Sequence, residues 1–179
     1  MTSLPDLTAA FEDAGLIDVA YTIEPSPVGD LLVAVTPRGL LTLSYNNDLS
    51  PIAASISPRI LYVPARTDSV RRQLEEYFAR KRQSFDLDLD FRLARQGFGR
   101  RVLAATARIP YGQVSTYKGV ATEAGSPRAF RAAGTALGAN PLPVVVPCHR
   151  VLHADGGLGG YTGGVERKQT LLALEGVTG

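Results

Sequence analysis

A glycine-rich segment constrains the fold of this 179-residue chain more than any other feature. Six of the nine residues from 156 to 164, in the sequence GGLGGYTGG, are glycine. Because glycine adopts conformations that other residues avoid, we expect this backbone to be unusual in conformation or to lie close to a ligand. The segment is neither a Walker loop, which needs a following Gly-Lys-Ser/Thr, nor a G-x-G-x-x-G dinucleotide fingerprint.

The composition is typical of a soluble globular protein with a hydrophobic core. Apolar residues make up 45% of the chain and charged residues 20%, and this length suits one large domain or two small ones. No stretch of about 18 apolar residues occurs, so we expect no membrane span. The beginning, MTSLPDLTAAFEDAGLID, has acidic residues and no basic start, so we expect no signal peptide.

Charge is divided unevenly along the chain. Residues 1–90 hold 8 Lys/Arg and 13 Asp/Glu, a net charge of −5, whereas residues 91–179 hold 11 Lys/Arg and 4 Asp/Glu, a net charge of +7. A basic second half indicates a polyanionic partner. Chance clustering on solvated faces would give the same counts, so charge alone leaves both interpretations open.

The first half is predicted to be a small unit of strands and one helix. Three apolar runs predict strands joined in a meander: residues 19–26, 31–36 and 40–45. Residues 67–83 have apolar side chains at helical spacing, with Thr67 or Asp68 as the N-cap. The alternating sequence FDLDLDF, residues 85–91, predicts another strand, and the Pro-containing residues 46–66 predict a surface loop.

The second half is predicted to be more helical. Residues 98–109 form a helix stopped by Pro110 and Gly112, residues 144–146 form a short buried strand, and residues 165–176 form a helix with Gly176 at its C-cap. Two further helices are expected, one with Ser115 as cap and one with Ser126 as N-cap.

These two helices, joined by a tight Gly-Ser turn, have the pattern of a helix-turn-helix. The second carries Arg128 and Arg131 among alanine and glycine residues. Small residues let a backbone lie close to another surface, and arginines reach phosphates and bases. Close packing against a neighbouring helix would require the same small residues, so this alternative stays open.

The chain contains one cysteine, Cys148, and therefore has no internal disulfide and no multi-thiolate zinc site. A lone cysteine is often a small buried hydrophobe, but Pro147 before it and His149 after it favour a position just past a strand end, in a cleft. A nucleophilic thiol needs a base, and the base needs an orienting acid. The only glutamates downstream are Glu166 and Glu175, and spacing alone does not choose between them.

Acyl transfer, redox exchange and alkyl transfer all fit a Cys-His pair. Redox exchange is disfavoured because no second cysteine is available to resolve a mixed disulfide. A zinc site made of Cys148, His149 and His153 is disfavoured because adjacent ligands strain the geometry, and His153 is expected to be a surface loop residue.

The motifs around Cys148 resemble those of a known family. Residues 140–164, NPLPVVVPCHRVLHADGGLGGYTGG, with IPYGQVSTY and SPRAFRAAG upstream, resemble the O6-alkylguanine-DNA alkyltransferases, or methylated-DNA–protein-cysteine methyltransferases. The Pro-Cys-His-Arg-Val core is highly specific to them. The resemblance is close over residues 96–176 and looser over 19–91.

The resemblance implies an α+β fold in two domains. Residues 1–91 would form a small N-terminal α/β domain of ribonuclease-H-like type, with residues 1–17 as an extension. Residues 92–179 would form a mainly helical domain that contains the helix-turn-helix, binds DNA and accepts the alkyl group.

The implied activity is DNA repair by irreversible, single-turnover transfer of an alkyl group from O6-alkylguanine, and also from O4-alkylthymine, to Cys148. The target base would be flipped out through the minor groove, since a thiol cannot reach it inside a duplex. The implied partner is double-stranded DNA carrying O6-alkylguanine, with no membrane, cofactor or metal. The protein would be a monomer, with cooperative loading on DNA left open, in the cytoplasm with the nucleoid, or in the nucleus of a eukaryote.

The resemblance also assigns roles to particular residues. Cys148 matches the alkyl acceptor, and His149 matches the base that acts through water. Glu175 matches the acid behind the histidine, and Asn140 matches the residue that braces the turn before the active site. Arg131 matches the residue that fills the gap left by the base, and Tyr117 the one that turns the phosphate and donates towards the guanine. The remaining expected DNA contacts are Arg128, Ala129, Ala132 and Gly134. The expected pocket residues are Tyr117, Pro143, Val151, Leu158, Tyr161, Thr162 and Gly163.

Three positions depart from the family pattern. Gly99 and Leu103 stand where the family usually has Gln and Trp in Phe-Gln-x-x-Val-Trp, which is expected to affect packing of that helix and not the chemistry. Phe130 stands beside Arg131 where a small residue is usual, and it would either pack inward or alter DNA contacts. Two other functions remain as alternatives: a non-catalytic binder of alkylated DNA on the same scaffold, and a Cys-His hydrolase.

Overall fold

The computed structural model describes residues 10–11 and 14–177, so most of the predicted extension lies outside the described residues. The fold is α+β, with a mixed sheet in the first half and mainly helices in the second. No helix in the described ranges is long and apolar enough to cross a membrane.

The first half is built on a four-stranded sheet in the order β3-β2-β1-β4. Its strands are β1 (Val19–Glu24), β2 (Leu31–Thr36), β3 (Gly39–Ser44) and β4 (Ile60–Tyr62). The first three form the predicted antiparallel meander, and β4 pairs parallel with β1. The predicted helix is α2 (Asp68–Phe78), with Thr67 at its N-cap position.

The prediction of a loop over residues 46–66 was wrong. The segment contains helix α1 (Ser50–Ser55), strand β4 and a 3-10 turn, Pro64–Thr67. Pro51 is compatible with α1 because it occupies the first turn, where the backbone N–H needs no helical partner. Ile52 is buried against one face of the sheet, and this tertiary contact stabilises a helix too short to be recognised from periodicity.

The predicted strand over residues 85–91 forms only an isolated bridge between Leu89 and Leu40 of β3. The Leu40 N–H donates to Asp88 O at 2.8 Å, and the Asp90 N–H donates to Leu40 O at 2.8 Å. A side chain at Gly39 would collide with the Asp88 carbonyl, so glycine permits this approach. The alternating apolar residues pack against the core without continued pairing.

The second half contains α3 (Phe98–Ala107), α4 (Tyr117–Glu123), α5 (Phe130–Gly138) and α6 (Val165–Leu174), with short parallel strands β5 (Ser115–Thr116) and β6 (Val151–Leu152). One continuous core joins the halves, since Leu31 and Val33 of the sheet belong to the same buried cluster as Val102, Cys148 and Leu171. The sheet therefore supports the segment that carries the cysteine.

The predicted helix caps need two corrections. Thr116, and not Ser115, caps α4, because its side chain accepts a hydrogen bond from the Gly119 N–H at 3.0 Å. Helix α5 begins at Phe130, four residues after Ser126, because residues 126–129 form a turn in which the Ala129 N–H donates to Ser126 O. The C-cap of α6 is Glu175, one residue before the predicted Gly176, and Gly176 follows it with φ of 80°, the position at which helices commonly place a glycine.

Candidate active site

Cys148 follows a tight turn and not the predicted strand over residues 144–146. The Val146 N–H donates to Leu142 O at 2.8 Å, and the Cys148 N–H donates to Val146 O at 2.8 Å. Val144 has φ of 73°, an unusual conformation for a β-branched residue. The strand prediction failed because side-chain hydrogen bonds and long-range packing outweigh the strand propensity of three valines.

Asn140 supplies those side-chain hydrogen bonds. Its Oδ1 accepts from the Leu142 N–H at 3.0 Å, and its Nδ2 donates to Val146 O at 2.9 Å. The same Nδ2 lies 3.2 Å from Cys148 Sγ. One buried amide thus fixes the turn and contacts the sulfur.

Cys148 begins a 3-10 turn, Cys148–Arg150, and is only 5% exposed. Burial raises the pKa of its thiol, while the Asn140 amide and the positive charge of Lys168 oppose that rise. The thiol is thus mainly protonated at neutral pH and needs a base to become a nucleophile.

His149 is fully buried and lies beside Glu175. Its Nε2 is 2.9 Å from Glu175 Oε1, so the carboxylate fixes the tautomer with the proton on Nε2. Its Nδ1 has no hydrogen-bond partner among the described residues. Burial lowers the pKa of His149 more than Glu175 raises it, which leaves a neutral imidazole able to accept a proton.

Glu175, directly after α6, is the centre of a buried polar cluster. Arg150 donates from Nε to Oε2 at 2.9 Å and from Nη2 to Oε1 at 2.8 Å. The Tyr77 hydroxyl donates at 2.6 Å and the Gly112 N–H at 3.2 Å. Burial opposes ionisation, but hydrogen bonds from His149 and Arg150 outweigh it and lower the pKa to about 2. Glu166, the alternative from spacing, is exposed in the first turn of α6.

A cavity of about 730 Å³ opens onto Cys148. Helices α4 and α5 form one wall, with Tyr117, Arg131 and Gly134 among the lining residues, and the glycine-rich loop forms another with Tyr161 and Thr162. Burial and the nearby Cys148 raise the pKa of Tyr117, so its hydroxyl keeps its proton at neutral pH. The cavity therefore brings a thiol, hydroxyl donors and a cation together.

Four of the seven predicted pocket residues do not line this cavity. Pro143 and Gly163 line a neighbouring cavity of about 330 Å³. Val151 is buried, and its carbonyl, like that of Leu158, accepts a hydrogen bond from Lys168. Spacing along the loop could not distinguish residues in the wall from those that support it.

The predicted DNA-contact residues divide in a similar way. Arg131 and Gly134 line the cavity, and Ala132 is exposed on α5. Arg128 is exposed in the turn before α5, and Ala129 is the N-cap residue, so neither lies within the helix as predicted. Arg131 has no ion pair among the described residues, and its guanidinium lies 6.0 Å from the Phe130 ring centre.

The sequence reasoning missed four residues around the site. Arg150 and Tyr77 hold Glu175, and Lys168 holds the glycine-rich loop. Burial lowers the pKa of Lys168 to about 8. Tyr45 at the end of β3 makes a 2.7 Å hydroxyl–hydroxyl hydrogen bond with Tyr161. Of these, only Arg150 had a sequence signal, since it adjoins His149.

The described residues hold no group of three or more His, Cys, Asp or Glu side chains placed to bind a metal. His153 is exposed, and its ring centre lies 5.1 Å from that of Tyr117. It therefore belongs to the rim of the cavity.

A buried thiol, a neutral imidazole and an ionised carboxylate define a protein of the cysteine-nucleophile class, and a helix-turn-helix lines the same cavity. Two family models match: "6-O-methylguanine DNA methyltransferase, ribonuclease-like domain" over residues 19–91 and "6-O-methylguanine DNA methyltransferase, DNA binding domain" over residues 97–177. The chain therefore belongs to the 6-O-methylguanine DNA methyltransferase family.

Known relatives resemble nearly the whole chain. The methylated-DNA–protein-cysteine methyltransferase of Mycobacterium tuberculosis is 48% identical over 162 residues, covering 88% of this chain and 92% of that protein. The protein of that name from Methanosarcina barkeri is 41% identical over 160 residues, covering 87% and 96%. The crystal structure of Mycobacterium tuberculosis OGT in complex with DNA matches with a TM-score of 0.78 at 38% identity, covering 87% and 92%.

Proposed function

We propose that this protein repairs DNA by moving the alkyl group of O6-alkylguanine onto Cys148. The thiolate attacks the alkyl carbon, an S–C bond forms, the bond between that carbon and guanine O6 breaks, and guanine takes up a proton. The observation that carries this proposal is the single thiol facing a cavity that the helix-turn-helix lines.

His149 acts as the base in this proposal. Its Nδ1 takes the thiol proton through a water molecule, while Nε2 donates to Glu175. The carboxylate stabilises the imidazolium that forms, as expected of a base with an orienting acid. Asn140 holds the turn and the sulfur in place.

The product is permanent because a thioether is a very poor leaving group and the chain has one cysteine. Each molecule thus accepts one alkyl group and is consumed. We infer that O4-alkylthymine is a second substrate and that no cofactor takes part.

Access to the thiol requires base flipping through the minor groove. Arg131 fills the gap in the stack, and Tyr117 turns the phosphate and donates to the guanine. Arg128, Ala129, Ala132 and Gly134 contact the duplex. Tyr161 and Thr162 hold the base, with Pro143, Val151, Leu158 and Gly163 supporting them.

We infer a monomer acting on chromosomal DNA, in the cytoplasm or in a eukaryotic nucleus, with residues 92–179 as the DNA-binding domain.

Intact mass after incubation with duplex DNA containing O6-methylguanine tests the proposal. We expect each molecule to gain one methyl group, found on the peptide that contains Cys148. Cys148→Ser should abolish the gain and retain duplex binding, because a serine hydroxyl has a much higher pKa than a thiol. Methyl on another residue would overturn the proposal. If the protein converted more substrate molecules than there are protein molecules, it would be a hydrolase. If the wild type bound the duplex without transfer, it would be a non-catalytic binder.

A further inference from the structure

Phe130 is an exposed aromatic residue at the start of α5. It is 45% exposed, and it is the one large exposed apolar side chain in the described part of the chain that lines the Cys148 cavity. The sequence left two possibilities, packing inward or facing the DNA. The exposure excludes the first.

The position of Phe130 relative to α5 places it at the outer end of the cavity. Gly134 and Gly138 follow at intervals of four residues and line the same cavity, so the three share one helix face. Gly138 accepts a hydrogen bond from Thr162 at the end of α5 near the cysteine turn, and Phe130 lies two helical turns away. A base at the thiol would leave Phe130 beside the duplex.

The surroundings of Phe130 are complementary in charge to DNA. Arg131 and Lys118 line the same cavity, and Arg128 is exposed two residues earlier. Phe130 is therefore an apolar group within a cationic surface, on the side where phosphates would be neutralised. Proteins that kink DNA from the minor groove insert apolar wedges of this kind between base steps.

We propose that Phe130 is a second wedge beside Arg131. Arg131 fills the gap left by the flipped base, and Phe130 packs against the neighbouring base pair. The inference rests on the proposed function, because it needs a duplex from which a base is flipped. Arg131 contributes charge and Phe130 contributes apolar contact area. Their effects on DNA binding should therefore depend differently on salt.

The test compares Phe130→Ala, Phe130→Leu and Arg131→Ala, with Tyr62→Ala as a matched control at an exposed aromatic outside the cavity. Each change is made in a Cys148→Ser background, which binds without transfer, and affinity for duplex containing O6-methylguanine is measured over a series of salt concentrations. Phe130→Ala should weaken binding about tenfold with an unchanged slope of log K against log salt, as lost apolar burial predicts. Arg131→Ala should reduce the slope by about 0.9. Phe130→Leu should recover most of the affinity, and Tyr62→Ala should match the wild type.

Repair rates provide a second measurement. The ratio of the rate with O6-methylguanine duplex to the rate with free O6-benzylguanine should fall about tenfold in Phe130→Ala, because only the duplex has a stack to open. Unchanged binding and an unchanged ratio would overturn the second wedge, as would equal slowing with both substrates. Alanine has a higher helix propensity than phenylalanine, so α5 should stay folded, and melting temperatures check this. Failure of the proposed function would be visible separately, as wild-type protein that gains no methyl group.

Discussion

The two halves of the molecule contribute unequally to the site. The second half, residues 91–177, supplies the thiol, the imidazole, the carboxylate and the basic wall of the cavity. The first half, residues 14–90, is acidic and forms the sheet. It nevertheless reaches the site through two hydroxyls, since Tyr77 donates to Glu175 and Tyr45 bonds to Tyr161. The half without the reactive groups therefore still positions them.

The largest effect is expected where both halves meet, at Glu175. Glu175→Gln should lower the free energy of unfolding by about 3–5 kcal/mol, because Arg150 would stay buried without its ion-pair partner. Urea denaturation measures this, and Glu166→Gln in the same helix is the control, expected to change stability by about 0.5 kcal/mol or less. Equal losses in the two variants would show that the cluster does not hold the halves together.

The same cluster predicts how stability depends on pH. The folded-state pKa of Glu175, about 2, lies below its ordinary value of 4.5. Ionised Glu175 therefore stabilises the fold at neutral pH, and this contribution is lost as pH falls from about 4.5 towards about 2. Glu175→Gln should flatten the loss of stability in that range.

A smaller effect is expected within the second half alone. Arg131→Ala should lower the ratio of the repair rate on duplex to that on free O6-benzylguanine on the order of 10- to 100-fold, since unstacking costs a few kcal/mol. Tyr117→Phe should slow both substrates, because its hydroxyl is expected to donate to the guanine. Equal slowing of both substrates by Arg131→Ala, with a lower melting temperature, would instead identify Arg131 as structural.

The charge difference between the halves predicts which residues contact phosphates. Duplex binding should weaken with salt, and Lys118→Ala at the cavity should reduce the slope of log K against log salt by about 0.9. Arg72→Ala, at an exposed position on α2 in the first half, should leave the slope unchanged. Equal slopes for the two variants would contradict a DNA face restricted to the second half.

The smallest effect tests whether the first half acts on the pocket. Tyr45→Phe removes the 2.7 Å hydrogen bond to Tyr161. It should slow transfer from both duplex and free O6-benzylguanine two- to tenfold, which corresponds to roughly 0.5–1.5 kcal/mol of activation free energy, the net contribution of one hydrogen bond. Tyr62→Phe, at an exposed position in the same half, is the control. Identical transfer rates for the two variants would show that the Tyr45 hydroxyl does not influence the pocket.

The sequence predicted the elements whose signals are local. The meander of β1 to β3 followed from apolar runs, and α2 from helical spacing. Helices α3 and α6 followed from the residues that stop them, and the family from the Pro-Cys-His-Arg-Val core. The short elements α1 and β4 were missed because a six-residue helix and a three-residue strand carry too little periodicity. The domain boundary at residues 91–92 and the roles of the site residues stay predictions.

The sequence by itself determined which groups can react, because Cys148 is the one thiol and His149 adjoins it. Only the tertiary structure decided what surrounds them. Glu175 lies 26 positions from His149, and Tyr45 lies 116 positions from Tyr161, yet each pair is in hydrogen-bond contact. The physical reason is that propensity and periodicity act over a few residues, whereas the continuous core brings distant segments together and fixes which side chains share a buried space.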